Sequence, residues 1–115
     1  MHVKHLNLVN FRNYDSVDIK FAPGINILVG RNGQGKTNLV EAINYLATLS
    51  SHRVSGYLPL IKKNSSQALI RLLAGFADRE NLIELELNVE ESNRARINKS
   101  GVSRVRDILG YLQSV

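Results

Sequence analysis

The chain has 115 residues, 43% hydrophobic and 22% charged, which suits one domain burying roughly two-thirds of its unfolded surface. With no cysteine and only 8 glycines, a disulfide scaffold, a thiol nucleophile, cysteine-ligated zinc and a collagen-like repeat are excluded. Fifteen Lys+Arg against ten Asp+Glu leave a net charge of +5, compatible with a polyanionic partner but naming none.

Residues 3–9 alternate loosely, with Leu6 and Leu8 on one face, and Val17-Asp18-Ile19-Lys20-Phe21 alternates strictly. Both patterns predict half-buried strands, connected through Phe11-Arg12-Asn13-Tyr14-Asp15. Ala22-Pro23-Gly24 is a turn signal. Ile25-Asn26-Ile27-Leu28-Val29 is apolar without strict alternation, the pattern of a strand covered on both faces. It leads into Gly30-Arg31-Asn32-Gly33-Gln34-Gly35-Lys36-Thr37, after which Leu39, Val40, Ile43, Leu46 and Ala47 recur at helical spacing. That stripe predicts an amphipathic helix of about 12 residues.

Residues 50–66, rich in Ser and carrying Gly56 and Pro59, read as a surface excursion. A strand is expected over 68–76 and another through Ile83, Leu85, Leu87 and Val89, with Asp78-Arg79-Glu80-Asn81 as the turn of a hairpin. Glu91-Ser92-Asn93 punctuates the second strand, and residues 94–98 return as its antiparallel partner. Val102, Val105, Ile108, Leu109 and Leu112 make a closing helical stripe, weakened by Gly110. No apolar run exceeds about six residues, against the roughly 20 that a membrane-spanning helix needs, and the N-terminus lacks the apolar core of a secretion signal. A chain without cysteine fits a reducing, cytoplasmic setting.

The chemistry concentrates in residues 30–37, which match the phosphate-binding pattern G-x-x-x-x-G-K-[ST] in full. Glycines let the backbone curl until successive N–H groups converge on phosphate oxygens, and the following helix adds the positive end of its dipole. The Lys36 ammonium then reaches the β- and γ-phosphates, and the Thr37 hydroxyl can ligate Mg²⁺. The nucleotide-binding residues expected are Gly30, Arg31, Asn32, Gly33, Gln34, Gly35, Lys36, Thr37 and Asn38. The only candidate for a second magnesium ligand, Asp78, is better explained as part of the hairpin turn. It would become the metal carboxylate only in a small P-loop kinase or GTPase, where the 68–76 strand lies parallel beside 25–29. A third possibility is a nucleic-acid module using the loop to grip backbone phosphate. His2, His5 and His52 adjoin no carboxylate or thiol cluster, and residues as close in sequence as Ser50, Ser51 and His52 rarely face one another usefully as nucleophile and base.

The loop variant Asn32-Gly33-Gln34-Gly35-Lys36-Thr37-Asn38, and the strand running into Asn10-Phe11-Arg12-Asn13-Tyr14, resemble the ATPases related to chromosome-maintenance (SMC) and ABC proteins. More closely, the chain resembles the RecF family of bacterial DNA replication and repair ATPases. Phe11-Arg12-Asn13-Tyr14, Glu41-Ala42-Ile43, Ser51-His52-Arg53, Arg96-Ile97-Asn98 and Asp107-Ile108-Leu109-Gly110-Tyr111-Leu112 carry that resemblance in the family's order. It implies a mixed α/β fold, a P-loop NTPase lobe of ABC/SMC type with antiparallel strands flanking the strand–loop–helix unit. Residues 1–115 would be the N-terminal part of an ABC-type ATPase head, with signature motif, Walker B carboxylate and helical arm following Val115, and without turnover by itself. The resemblance further implies ATP with Mg²⁺ and DNA at gaps or stalled forks. It also implies recombinase loading with RecO and RecR, support of the SOS response, and an ATP-dependent homodimer. Arg12 matches a family arginine near the nucleotide phosphates, whereas Arg53 matches without an assigned contact. Two basic groups are candidates for DNA phosphates: Arg53, Lys62 and Lys63, near Tyr57, and then Arg94, Arg96, Lys99, Arg104 and Arg106.

Overall fold

The computed structural model describes residues 2–21, 33–50, 56–76 and 79–111, with backbone alone at 2, 33–37 and 76. The strand expected over 25–29 and the loop positions Gly30, Arg31 and Asn32 therefore lie outside the described residues, as do Arg53, Asp78 and Leu112.

Period-two alternation produces a six-stranded sheet in the order β2-β1-β3-β4-β5-β6, every neighbouring pair antiparallel. The strands are β1 (His2–Phe11), β2 (Tyr14–Lys20), β3 (Gln67–Phe76), β4 (Arg79–Asn88), β5 (Arg94–Ile97) and β6 (Ser100–Gly101). Register sets one apolar row, Ile19–Leu6–Leu72–Ile83–Ile97, and beside it a second, Val17–Leu8–Ile70–Leu85–Ala95. Leu6, Leu8, Ile70, Leu72 and Ile83 are fully buried, and this face is covered by helix α1 (Gly33–Thr48) through Ala42, Tyr45 and Leu46. Among the described residues, no helix is long and apolar enough to cross a membrane.

The opposite face carries the polar partners of the alternation. Arg71 donates from Nη1 to Asn7 Oδ1 at 2.9 Å and from Nε to Glu84 Oε2 at 3.0 Å, and Arg96 Nη2 reaches the same Glu84 oxygen at 3.0 Å. Two residues along the same face, Arg94 Nε donates to Glu86 Oε2 at 2.8 Å. The Asn88 amide and the Arg94 guanidinium both favour the charged carboxylate, so the Glu86 pKa lies below its ordinary value.

Both hairpin links are shorter than expected from sequence, since Phe11 belongs to β1, Tyr14 and Asp15 to β2, and Arg79, Glu80 and Asn81 to β4, where they pair with Phe76, Gly75 and Ala74. Three further elements differ from the sequence expectation. Helix α1 has 16 residues and begins inside the phosphate motif. Its buried face is Asn38, Glu41, Ala42, Tyr45 and Leu46, one position displaced from the predicted stripe, because two polar side chains have partners beneath them. The 50–66 excursion is no simple surface loop: after a 3₁₀ turn over Leu58–Leu60, Leu60 is fully buried and Ile61 is 7% exposed, bridged to Phe11. The closing helix is absent from the described residues. Ahead of that stretch, Asn98 (φ 51°) and Lys99 (φ 74°) turn β5 into β6, the two-positive-φ turn that suits strand twist. Only Val105–Ile108 coils, as a 3₁₀ turn whose start is bonded from Arg104 N to Asp107 Oδ2 at 3.0 Å. Leu109 is extended and Gly110 sits at φ 99°, which stops the coil.

Candidate functional site

Helix α1 brings the described part of the phosphate motif to its own N-terminus: Gly33, Gln34, Gly35, Lys36 and Thr37 supply the first five helical residues. The first N–H groups of a helix have no intrahelical partner and point along the positive end of its dipole. No acidic residue stands in the first turn to repel an anion there. An anion suits this end on both counts, and the sequence of this first turn includes Lys36 and Thr37. Among the described residues, no group of three His, Cys, Asp or Glu forms an alternative metal site.

The turn between β1 and β2 docks against the same helix. Asn10 and Arg12 both have left-handed backbone, φ 52° and 56°, and Phe11 pairs with Tyr14 across the turn. Arg12 donates to Glu41 through a two-bond fork, Nε to Oε1 and Nη2 to Oε2, each 2.8 Å. Glu41 is nearly inaccessible, its side chain 5% exposed against 19% for Arg12. Glu41 raises the Arg12 pKa through this hydrogen bond, against the lowering effect of burial, so the guanidinium stays charged. Beside the fork, Asn38 Nδ2 donates to Asn13 Oδ1 at 3.2 Å, with Asn38 only 4% exposed. The turn is pinned from its other side by residues 60–62: Arg12 N donates to Leu60 O at 2.8 Å and Lys62 N to Asn10 O at 2.7 Å. Lys62 Nζ also meets Asp15 Oδ1 at 2.8 Å.

The β1–β2 turn and α1 thus meet through two polar pairs, Arg12 with Glu41 and Asn13 with Asn38, and the sequence reading names neither pairing. Glu41 and Asn13 were missed. The available signal was polar residues at 38 and 41 continuing the spacing of Ala42, Tyr45 and Leu46.

Asp78 gains no support as a metal ligand. Phe76 pairs with Arg79 directly across the link that contains it, and β3 has β1 on one edge and β4 on the other. No edge of β3 remains for a parallel strand at 25–29, so the kinase or GTPase arrangement is overturned.

The basic groups also divide. Arg94 and Arg96 are paired with Glu86 and Glu84, and Lys62 with Asp15, whereas Lys63, Lys99 and Arg106 are exposed without a carboxylate partner among the described residues. Arg104 is held loosely, Nε to Asp107 Oδ1 at 4.0 Å. A cavity of about 360 Å³ lies over Arg71, Glu84, Arg94 and Arg96, on the sheet face away from α1 and so apart from the phosphate motif.

Comparison with known proteins gives a consistent result. Residues 2–115 match the model of the RecF/RecN/SMC N terminal domain. The chain is 53% identical to the DNA replication and repair protein RecF of Frankia alni, over 100% of this chain and 30% of that protein. For the same protein of Streptomyces avermitilis the figures are 52%, 100% and 31%. This chain therefore spans about 30% of the length of these curated relatives. Among solved structures, it resembles the recombination mediator protein RecF-ATP of the RecFOR pathway with a TM-score of 0.85 and 32% identity, covering 97% of this chain and 31% of that one. The SMC head domain from Thermotoga maritima follows with a TM-score of 0.68 and 26% identity, covering 94% and 41%.

Proposed function

The chain belongs to the RecF/RecN/SMC N-terminal domain family, and from that premise we propose that it is the ATP-binding N-terminal part of a RecF-type DNA replication and repair protein. The observation that carries the reading is an intact phosphate motif opening α1, within a chain that aligns over its whole length with RecF relatives at 53% and 52% identity. In the proposed site, the backbone N–H groups of residues 30–37 cradle the phosphates, and Lys36 offsets the charge of the β- and γ-phosphates. Thr37 would hold Mg²⁺, which supplies charge neutralisation between those phosphates when bound. Asn38 and Arg12 complete the wall on the side of the β1–β2 turn. Residues 1–115 would form the first part of an ATPase head of ABC type that closes as an ATP-dependent homodimer. DNA at gaps or stalled forks, mediators of RecO and RecR type, recombinase loading and support of the SOS response belong to the same proposal, in a cytoplasmic setting.

Two kinds of phosphate contact are involved, and salt separates them. Within the two basic groups, Lys63, Lys99 and Arg106 are the described cations best suited to DNA backbone, because no carboxylate pairs with them among the described residues. Binding of single-stranded DNA to the full-length chain should fall by at least about tenfold between 50 and 200 mM salt. MgATP binding, held in a nest of amides, should change far less over that range. The comparison is read by titrating labelled ATP and labelled DNA separately at both concentrations. Equal salt sensitivity, or competition of DNA for the ATP site, would instead favour a module that grips backbone phosphate with the loop.

A further inference from the structure

The Arg12–Glu41 fork consumes two of the five guanidinium N–H donors, those on Nε and one on Nη2. Nη1 makes no hydrogen bond within the described residues and is not sealed from solvent, so an open donor edge remains on a side chain that is otherwise four-fifths covered. The base of that side chain is equally constrained. Its backbone is left-handed, a conformation non-glycine residues rarely take, and it is fastened from one side by Leu60 and from the other, through Asn13, by Asn38. A cation fixed at both ends with one unsatisfied edge is the arrangement expected of a group held ready for an anion.

From this geometry we infer that Glu41 is a positioning residue for nucleotide recognition: it fixes the plane of the Arg12 guanidinium so that the Nη1 edge is offered to a phosphate oxygen. The inference rests on the ATP-binding reading above and deepens it. Because Glu41 already neutralises Arg12, the pair carries no net charge, and its contribution to binding comes from donor direction. Charge alone cannot replace it. A lysine at position 12 keeps the charge but loses the planar fork, and a glutamine at position 41 keeps the shape but turns an amide N–H against Nη2.

The test measures MgATP affinity on the full-length chain and on Arg12→Lys, Glu41→Gln and the double variant, with thermal melts in the absence of nucleotide reporting the fold. Each single substitution should weaken ATP binding by about tenfold, and the double should be no weaker than either single, because both remove one device. Wild-type affinity in folded Glu41→Gln, or losses that multiply in the double variant, would overturn the inference. If Glu41→Gln does not fold, Glu41→Asp, which keeps the charge but shortens the reach, is read by the same criteria. Lys36→Ala separates the two layers. Retention of ATP there removes the site itself, whereas loss of ATP there with multiplying losses at 12 and 41 removes only the positioning role.

Discussion

Replacing Lys36 by Ala should weaken MgATP binding to the full-length chain by about a hundredfold or more, the scale of losing a charge-assisted contact at a buried triphosphate. Helix α1 starts at Gly33, so the amides that lack intrahelical partners and the positive end of the dipole lie at that end, and no acidic residue in the first turn opposes an anion there. Dipole and amides orient an anion, but they carry only about half an elementary charge. In the proposed site the Lys36 ammonium would be the compact full charge that meets the β- and γ-phosphates. Thermal melting gives an independent reading. ATP at a hundred times its dissociation constant stabilises a folded protein by about 2.7 kcal/mol, and that nucleotide-linked shift should vanish in Lys36→Ala. Lys36→Arg should also bind poorly, since the guanidinium is a broad fork where the nest expects a point charge. Unchanged ATP affinity in Lys36→Ala would refute the assignment.

The largest stability effect is expected at Leu72. This residue is fully buried in β3, lies opposite Leu6 on one side and Ile83 on the other, and has the helix-covered face of the sheet above it. Both neighbouring strands are paired along nearly the whole length of β3, so little can collapse into a void. Leu72→Ala should therefore cost about 3 kcal/mol, within the range of large-to-small substitutions in rigid cores, and lower the melting temperature by about 10 °C. Leu69, three positions back on the other face and partly exposed, gives the contrast: Leu69→Ala should cost less than about half as much. Equal costs would mean that α1 does not cover the face assigned to it.

How much of this was legible in the residues depends on what each element needed. Strands β1, β3 and β4 were legible because alternation is a local signal and their apolar face is continuous. The phosphate motif was legible because its spacing is itself the mechanism. The buried face of α1 was misplaced by one position, since Asn38 and Glu41 are polar and count against burial unless their partners Asn13 and Arg12 are known. Those partners lie 25 and 29 residues away, beyond any local pattern. Leu60 and Ile61 were hidden in a Ser-rich stretch for the same reason, since their burial depends on the β1–β2 turn. At the C-terminal end, valines and isoleucine at helical spacing were compatible with a helix. The positive φ angles of Asn98 and Lys99, without the glycine that usually announces such a turn, gave the hairpin no signature.

The central claim is that consecutive backbone amides at the start of α1 receive the triphosphate. It is tested most directly by following the amide resonances of Gly33, Gly35, Lys36 and Thr37 in the ¹⁵N-labelled full-length chain as MgATP is added. The account predicts that these four signals move first and furthest, saturating together with ATP binding. Saturation of ATP binding with those amides unmoved, and the shifts confined to the sheet face that carries Arg71, Arg94 and Arg96, would contradict it.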